Sequence, residues 1–344
     1  MKERILVTGG TGYIGSHTVV ELQNSGYEVV IVDNLSNSRA DVVDHIEQIT
    51  GIRPAFEHVD CLDYEGMDAV FKKYPGIKGV IHFAASKAVG ESVQKPLLYY
   101  RNNLVSLINL LELMPKHNVG GIIFSSSCTV YGQPDVLPVT EAAPIKKAES
   151  PYGNTKQVNE EIVRDTVASG APINAILLRY FNPIGAHPSA LIGELPNGVP
   201  QNLVPYVTQT AMGIREKLSV FGDDYDTPDG SCIRDYIYVV DLAKAHVIAM
   251  KRILEGKQKD KVEVFNLGTG RGLSVLELVH SFEEATGVKL NYQIVGRRAG
   301  DIEKVWADPK FANEELGWKA IETIEDTLRS AWNWQLKLRE RGIQ

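Results

Sequence analysis

The chain has 344 residues, of which 44% are hydrophobic and 23% charged, and its formal net charge is −7 at pH 7. This composition is ordinary for a globular protein, and the length allows two domains or one large domain with a smaller lobe. The acidic balance argues against non-specific binding to nucleic acid or to an anionic membrane. An anionic ligand would therefore be held by a few placed arginines.

The N-terminal region and the cysteines indicate the compartment. The apolar run at residues 5–7 is too short for a signal-peptide core, and no later run approaches the ~20 residues of a membrane span. The three cysteines, Cys61, Cys128 and Cys232, are far apart and form no Cys-x-x-Cys or Cys/His cluster. We therefore expect free thiols, a cytoplasmic protein, no membrane association and no metal site.

Short β-rich runs alternate with helical patterns through the first half of the chain. Strands are predicted at residues 5–7, 28–32, 55–59, 79–83, 121–125 and 173–178. The clearest helical spacing joins the apolar residues Val93, Leu97, Leu104, Leu107, Ile108 and Leu111. This alternation predicts an α/β fold of the Rossmann type, in which helices cover both faces of a doubly wound parallel sheet. Ligands of such sheets bind at the carboxyl ends of the strands.

The character of the sequence changes after Asn182, where prolines and glycines interrupt regular patterns. This predicts a smaller, loop-rich lobe of mixed α/β structure over the active edge of the sheet. We expect one domain at residues 1–182 and this lobe at residues 183–344. Residues 236–267 contain a strand-and-helix pattern and a late apolar run, and we expect them to fold back onto the first domain.

A glycine turn follows the first predicted strand. Gly9, Gly12 and Gly15 stand between that apolar strand and a helical pattern. Such glycines allow a tight turn and let a pyrophosphate approach backbone N–H groups at the positive end of the helix. Asp33 ends the second strand, where a carboxylate accepts hydrogen bonds from ribose hydroxyls and repels a 2′-phosphate. The pattern favours NAD over NADP, with Arg39 nearby leaving NADP as the alternative.

A tyrosine and a lysine lie one helical turn apart at Tyr152 and Lys156. With 14 tyrosines, about one chance Tyr-x-x-x-Lys match is expected, and Tyr74 and Lys78 form such a match. Pro75 and Gly76 follow Tyr74 and break any helix there. By contrast, Ser150 and Pro151 predict a helix start just before Tyr152, so that its side chain and that of Lys156 share a face.

This pair suits base chemistry on an alcohol next to a nicotinamide. A phenol has a pKa near 10, and an adjacent ammonium group together with an oxidised nicotinamide ring favours the phenolate. We therefore expect the pKa of Tyr152 to be lowered, by ~3 units, so that it takes a hydroxyl proton as hydride leaves. Ser127 ends a run of three serines at the end of a strand and is placed to hydrogen-bond the same oxygen, although such a run also suits a simple strand cap.

Several segments together resemble the extended short-chain dehydrogenase/reductase family, and within it the sugar-nucleotide epimerases. The resemblance runs from Ile5 to Trp334. It is carried by residues 9–17 (GGTGYIGSH), 87–93 (KAVGESV), 179–183 (RYFNP), 185–188 (GAHP), 234–236 (RDY) and 266–268 (NLG). The chain departs from the common pattern at Cys128, at Ala85-Ser86 and at Val305, where many members have a large aromatic residue.

The resemblance implies reversible inversion at C4 of UDP-glucose and UDP-galactose, through a transient 4-keto sugar and bound NAD, with Tyr152, Lys156 and Ser127 as catalytic residues. NAD contacts are implied at Gly9, Gly12, Tyr13, Ile14, Gly15, Asp33, Asn34, Asn37, Ser38, Asp60, Cys61, Phe83, Ala84, Lys87, Asn102, Ser125, Tyr152, Lys156 and Tyr180. UDP-sugar contacts are implied at Ser127, Asn182, Asn202, Leu203, Phe221, Arg234, Tyr236, Arg298, Asp301 and Val305.

The resemblance also implies a homodimer, because long helical segments at residues 92–114 and from Tyr152 onward pair across a two-fold axis in the family. Val305 is expected near the sugar's C2 substituent, where its small size would also admit N-acetylated UDP-sugars. The alternatives are another sugar-nucleotide epimerase or dehydratase, a net-redox dehydrogenase and a non-catalytic dinucleotide-binding protein. Dehydratases carry Asp-Glu after the threonine, whereas Val130 follows Thr129 here; binding proteins usually lose the Tyr/Lys pair.

Overall fold

Strands and helices alternate along the chain in the computed structural model, which describes residues 2–298 and 301–343. The described elements of the first half are β1 (Arg4–Thr8), α1 (Tyr13–Asn24), β2 (Glu28–Asp33), α2 (Val42–Thr50), β3 (Ala55–His58), α3 (Tyr64–Lys73), β4 (Ile77–His82), α4 (Val89–Gln94), α5 (Pro96–Lys116), β5 (Gly121–Ser127), a 3-10 turn (Cys128–Tyr131), α6 (Pro151–Ala168) and β6 (Asn174–Tyr180).

The second half contains shorter strands between its helices. Its described elements are β7 (Asn182–Ile184), α7 (Leu203–Ala211), β8 (Leu218–Phe221), β9 (Ile233–Arg234), β10 (Tyr236–Tyr238), α8 (Val239–Leu254), β11 (Val262–Leu267), β12 (Leu273–Ser274), α9 (Val275–Thr286), β13 (Tyr292–Val295), β14 (Lys304–Val305), a π-helical turn (Ala312–Leu316) and α10 (Ile324–Glu340).

Within the described residues, seven strands form a parallel sheet in the order β3-β2-β1-β4-β5-β6-β11. Successive side chains of β1 enter different cores: Ile5 and Val7 join the core that includes α1 and α8, and Leu6 joins the core that includes α3, α5 and α6. Both faces are therefore buried, as the continuous apolar runs predict. The strand order reverses between β1 and β4, and ligands of such sheets bind in the crevice at that point.

The predicted doubly wound α/β fold is confirmed, and all six first-half strands form where the sequence predicts them, with small differences at their ends. Strand β5 continues to Ser127, two residues beyond its predicted end, because it stays in register with β6 as far as the pair Ser127 and Tyr180. This extension carries the serine run into the sheet. The late apolar run also forms a strand, β11, which pairs with β6 at the sheet edge.

The helical segment predicted at residues 92–114 is divided between two helices. Helix α4 ends at Gln94 and α5 begins at Pro96, with Lys95 between them at φ −129° and ψ 55°. A residue before proline is disfavoured in the helical region, and proline has no N–H to continue the helix, so the chain bends there. Two helices therefore replace one.

The second half forms a separate apolar core from small elements. Leu218, Phe282 and Leu328 lie in this core, which draws on β8, α9 and α10. Strands β12, β9 and β14 form a small three-stranded sheet, and β8 pairs with β13. Helix α8 and strand β11 instead pack on the large sheet. Among the described residues, no helix combines the length and the apolarity needed to cross a bilayer.

Candidate active site

Helix α6 begins beside the predicted Tyr/Lys pair. Ser150 is the N-cap, and its hydroxyl accepts a hydrogen bond from the N–H of Gly153 at 3.1 Å. Pro151 follows in the first turn, where the missing N–H costs nothing. The predicted helix start is thus confirmed, and Tyr152 and Lys156 share a helix face. Tyr74 and Lys78, the other Tyr-x-x-x-Lys match, do not share a helix, as expected: Tyr74 is the C-cap of α3 and Lys78 lies in β4.

Lys156 is buried at the end of β5. Its Nζ donates a hydrogen bond to the carbonyl of Ser125 at 2.6 Å, and lies 4.9 Å from the ring centroid of Phe124 and 5.8 Å from that of Tyr152. Burial lowers the pKa of Lys156 to about 7, although the Glu160 carboxylate opposes this shift. The amino group therefore titrates near neutral pH, where small changes in its surroundings alter its charge.

The protein's own groups raise the pKa of Tyr152, whereas the expected lowering depends also on an oxidised nicotinamide ring. Burial raises it to about 12 and a hydrogen bond with Ser127 opposes the shift. The Lys156 ammonium is aimed at the Ser125 carbonyl and not at the phenol. Desolvation outweighs the nearby hydroxyl in this balance, and the lowering expected with an oxidised nicotinamide ring stays a prediction.

The serine run at the end of β5 faces two ways, as alternate residues of a strand do. Ser125 Oγ hydrogen-bonds the Tyr180 hydroxyl. Ser127 Oγ accepts from the N–H of Thr129 at 3.3 Å and also contacts the Tyr152 hydroxyl. Ser127 is therefore both a cap of the following turn and a neighbour of the phenol. Ser126 points the other way and donates to Glu160.

The glycine turn fits a dinucleotide pyrophosphate. A Cβ built on Gly15 would lie 2.1 Å from the Gly9 carbonyl oxygen, and one on Gly9 would lie 2.9 Å from Ala84 N, so neither position admits a side chain. A Cβ on Gly12 would meet one described atom within 4 Å, Gly9 O at 3.1 Å, which leaves its outer side open. Gly12 is the N-cap of α1, and no described side chain caps that helix, so its first N–H groups are available to an anion.

Asp33 is held rigidly beside this turn. One carboxylate oxygen accepts from the N–H of Leu35 at 2.9 Å and the hydroxyl of Ser38 at 3.0 Å, and the other accepts from Thr11 N at 3.2 Å. Arg39 points away and pairs with Asp41 at 2.9 Å. An aspartate fixed in this way suits a free ribose and disfavours a 2′-phosphate.

The other predicted cofactor residues line the same strand ends or adjoining loops. Asn34 donates to Asp60 at 2.9 Å, and Asn102 donates to Ser86 at 3.1 Å. Cys61 is buried, and desolvation raises its pKa to about 12. The remaining members lie on α1 (Tyr13, Ile14), on the exposed loop after β2 (Asn37) and after β4 (Phe83, Ala84, Lys87).

The predicted substrate residues come from separate elements of the second half. Arg234 ends β9, and its backbone pairs with Val305 of β14. Arg298 lies 5.1 Å from the ring centroid of Phe221 and pairs with Asp301 at 2.7 Å. Val305 is buried in a cluster with Phe181, against which Cys128 packs. Of the rest, Asn182 begins β7, Asn202 and Leu203 begin α7, and Tyr236 begins β10.

One residue that sequence reasoning missed lies between the predicted cofactor and substrate contacts. Glu194 accepts from Lys87 at 3.1 Å and from Asn202 at 2.6 Å, so one carboxylate holds one residue from each set. It lies in an irregular loop, where no periodic signal marks it. Among the described residues, no group of three or more histidine, cysteine, aspartate or glutamate side chains is arranged to hold a metal ion.

The comparisons with known proteins agree with this geometry. The chain matches the GDP-mannose 4,6 dehydratase family over residues 6–331. It is 53% identical over 333 residues to a UDP-glucose 4-epimerase of Dictyostelium discoideum, covering 97% of this chain and 96% of the relative. It is 50% identical to a UDP-glucose 4-epimerase of Homo sapiens, covering 97% of both chains.

Solved structures are similar over the same length. A UDP-glucose 4-epimerase of Stenotrophomonas maltophila with bound NAD and formylated UDP-arabinopyranose has a TM-score of 0.95 and 48% identity, over 98% of this chain and 99% of that one. One from Bifidobacterium longum, in complex with NAD+ and UDP, has a TM-score of 0.92 and 50% identity, over 97% and 98%. This chain therefore belongs to the UDP-glucose 4-epimerase family of extended short-chain dehydrogenases/reductases.

Proposed function

We propose that this protein uses NAD to interconvert UDP-glucose and UDP-galactose by inverting C4 of the sugar. The observation that carries the proposal is the convergence of Tyr152, Ser127 and Lys156 at the carboxyl end of β5, next to a glycine turn that fits a dinucleotide. A base beside an alcohol and a nicotinamide is the arrangement that reversible alcohol oxidation needs.

The first-domain residues hold the cofactor. The N-terminus of α1 takes the pyrophosphate and Asp33 takes the ribose hydroxyls. When bound, NAD accepts the hydride from C4 and returns it, so that it is regenerated in each turnover. Lys87, Asn102, Ser125 and Tyr180 contact the cofactor together with the other predicted cofactor residues.

Tyr152 takes the proton of the 4-hydroxyl and later returns it. Because burial by the protein's own groups raises its pKa to about 12, the phenol needs a nearby positive charge to act as a base at neutral pH. Lys156 supplies one such charge from the same helix face. Ser127 hydrogen-bonds the reacting oxygen and keeps it beside the phenol.

The second lobe anchors the nucleotide while the sugar turns. Arg234 and Arg298 bind the diphosphate, since guanidinium groups suit phosphate oxygens, and Phe221 contacts the uridine. The 4-keto sugar rotates between these anchors and presents its other face to the returning hydride. Val305 leaves room for a larger C2 substituent, and we propose that N-acetylated UDP-sugars are also used.

Elimination of water, as in a 4,6-dehydratase, is disfavoured. That reaction needs an additional acid and base, which by the resemblance would directly follow Thr129. The turn after Ser127 holds Cys128, Thr129, Val130 and Tyr131, of which the last two are fully buried. The absence of a carboxylate from this turn supports the epimerase over the dehydratase.

We also propose that the protein forms a homodimer through residues 92–114, which span the end of α4 and most of α5, and through α6. The support is an exposed apolar stripe: Leu97 is 81% exposed and Val93 62%, and the stripe continues at Val89, Leu98, Val105 and Ile108. Such a patch is typical of an interface.

Light scattering should give about twice the monomer mass of 38.0 kDa. Leu97→Glu should lower that mass whereas Val136→Glu, which alters an equally exposed loop residue, should not; a monomeric wild type contradicts the proposal.

The remaining proposals concern organisation and location. We propose that residues 1–182, together with 236–267, form the NAD-binding domain, and that the rest forms the UDP-sugar lobe. The pairing of β11 with β6 supports the fold-back segment. The three free cysteines support a cytoplasmic location, where thiols stay reduced.

One assay tests the function. Purified protein is incubated with UDP-galactose, and the products are resolved by chromatography. UDP-glucose should appear until the two sugars reach equilibrium, without stoichiometric consumption of added NAD. Absence of UDP-glucose at any protein concentration contradicts the proposal, and accumulation of reduced cofactor with an oxidised sugar indicates a net dehydrogenase.

A further inference from the structure

A buried ion pair lies directly behind the candidate catalytic residues. Glu160 of α6 receives two hydrogen bonds from Arg179 of β6, one from Nε at 2.8 Å and one from Nη2 at 2.5 Å. The exposed fractions of the two side chains are 6% and 4%. Glu160 also accepts from the Ser126 hydroxyl at 2.5 Å. The carboxylate thus joins α6 to strands β5 and β6, which end at the site.

Each member of this pair stands one position or one helical turn from a predicted site residue. Glu160 follows Lys156 by one turn, and Arg179 precedes Tyr180 in β6. Because strand neighbours point to opposite faces, Ser126 and Arg179 face α6 whereas Ser125 and Tyr180 face the other side.

The network continues away from the site. Arg179 Nη1 donates to the Tyr131 hydroxyl at 2.9 Å, and that hydroxyl donates to Asn266 at 2.7 Å. Through Tyr131, the hydrogen-bond network therefore also holds the 3-10 turn that follows Ser127. A buried ion pair adds little stability compared with well-packed apolar residues of similar size, so stability alone does not account for its position.

Glu160 acts on Lys156 electrostatically. It is the carboxylate that raises the pKa of Lys156 against burial. Of the other titratable or charged groups, the Tyr152 ring centroid on its own helix lies 5.8 Å from this amino group, whose charge also affects His82 of β4, and Arg179 of β6 is paired with Glu160. Burial lowers the pKa of His82 to about 3, so it stays neutral. Glu160 is thus the negative charge in this set at neutral pH, and Arg179 partly balances it.

We propose that the Glu160–Arg179 pair is a positioning unit for catalysis, which keeps Lys156 charged and holds it against the end of β5. This inference rests on the proposed role of Lys156. The two partners have opposite charges, so they affect the Lys156 ammonium in opposite directions although both support the same fold.

These opposite effects on the Lys156 ammonium give a test that distinguishes the proposal from a purely structural role. Removing the negative charge in Glu160→Gln disfavours the ammonium, so Lys156 loses its proton at lower pH. The alkaline limb of the kcat profile should move down by about one pH unit or more. Removing the positive charge in Arg179→Gln leaves the carboxylate unbalanced, and the same limb should move up.

The direct readout is an NMR titration of Lys156 with ¹³Cε-labelled lysine, its signal assigned by its loss in Lys156→Arg. The midpoint should fall in Glu160→Gln, rise in Arg179→Gln and return towards the wild-type value in Glu160→Asp. If a single variant fails to fold, the double variant Glu160→Gln/Arg179→Gln replaces it, because it leaves no unpaired buried charge. Its midpoint should lie between the wild-type value and that of Glu160→Gln.

A second buried pair provides the matched control. Arg252 of α8 binds Glu263 of β11, the edge strand of the sheet, through two hydrogen bonds at 2.7 and 2.8 Å. Glu263→Gln should lower thermal stability without moving the Lys156 midpoint or the alkaline limb. Equal or absent shifts in Glu160→Gln and Arg179→Gln overturn the proposal, as does a shift in Glu263→Gln.

The Lys156→Ala variant separates this proposal from the proposed function. If that variant turns over as fast as wild type, the catalytic role of Lys156 fails, and the positioning role fails with it. If it is inactive while the Glu160 and Arg179 variants show no opposite shifts, the positioning role alone is wrong.

Discussion

The two halves of the candidate site are built in different ways. In the cofactor half, backbone contacts fix the glycine turn, and Asp33 is 8% exposed and held by three hydrogen bonds. In the substrate half, the side chain of Arg298 is 57% exposed, Phe221 is 37% exposed, and the contributing segments are distant in sequence. The cofactor half is therefore preorganised by the sheet, whereas the substrate half depends on side chains that a ligand must order.

This difference explains what the sequence could predict. The strands, the glycine turn and the start of α6 follow from local signals: buried apolar runs, glycine spacing, and a serine with a following proline. The substrate contacts have no local signal, because Arg234 and Val305 meet only through the β9–β14 pairing. Resemblance to a family supplied them, and their roles remain predictions.

Two further features escaped prediction for physical reasons. The pKa of Tyr152 depends on burial, which sequence does not measure, and burial among the protein's own groups raises it. Glu160 and Arg179 gave one signal that sequence analysis did not use: an arginine inside an apolar strand needs a buried partner. The identity of that partner depends on the packing of α6 against β6.

The largest loss of activity is expected for Tyr152, which lies where the cofactor and substrate halves meet. Tyr152→Phe removes the base, and kcat should fall by about 10²–10⁴, while UDP-glucose binding measured by calorimetry stays within about twofold because nucleotide contacts provide most of the affinity. Tyr74→Phe is the matched control, since Tyr74 belongs to the other Tyr-x-x-x-Lys match. An unchanged kcat in Tyr152→Phe would show that another group is the base.

In the cofactor half, adding a side chain to the glycine turn should disturb the backbone that binds the cofactor. A Cβ at Gly15 would lie 2.1 Å from Gly9 O. Gly15→Ala should therefore lower the free energy of unfolding by more than the ~1–3 kcal/mol typical of overpacking, and the displaced turn should lower NAD affinity by about a hundredfold. Gly296→Ala is the control, because a Cβ there meets no described atom within 4 Å. Fluorescence titration with NAD measures both; equal affinities would mean that the turn is not the pyrophosphate site.

The substrate half should respond more gradually. Arg234→Ala should raise KM for UDP-galactose by about tenfold to a hundredfold, since a charged hydrogen bond is lost, without changing NAD affinity. Arg298→Ala should have a smaller effect, because its guanidinium is more exposed and already paired with Asp301. The neighbouring Arg297→Ala serves as the control. A larger effect on NAD than on UDP-galactose would contradict the division between the halves.

The smallest expected effect concerns the sugar pocket. Val305→Tyr adds several atoms to a buried site and should lower kcat/KM for UDP-N-acetylgalactosamine by about tenfold relative to UDP-galactose. The comparison is made for both sugars in wild type and variant. If wild type ignores the N-acetylated sugar, or the variant uses it equally well, Val305 does not set the pocket size.

The central claim is that C4 is inverted by removal and return of the same hydride at one site. UDP-galactose carrying deuterium at C4 tests it most directly, with the product analysed by NMR and mass spectrometry. We predict that the UDP-glucose formed keeps its deuterium at C4, because Tyr152 exchanges only the hydroxyl proton. Loss of the deuterium to water would show that C4 is inverted by proton abstraction, and would contradict the account.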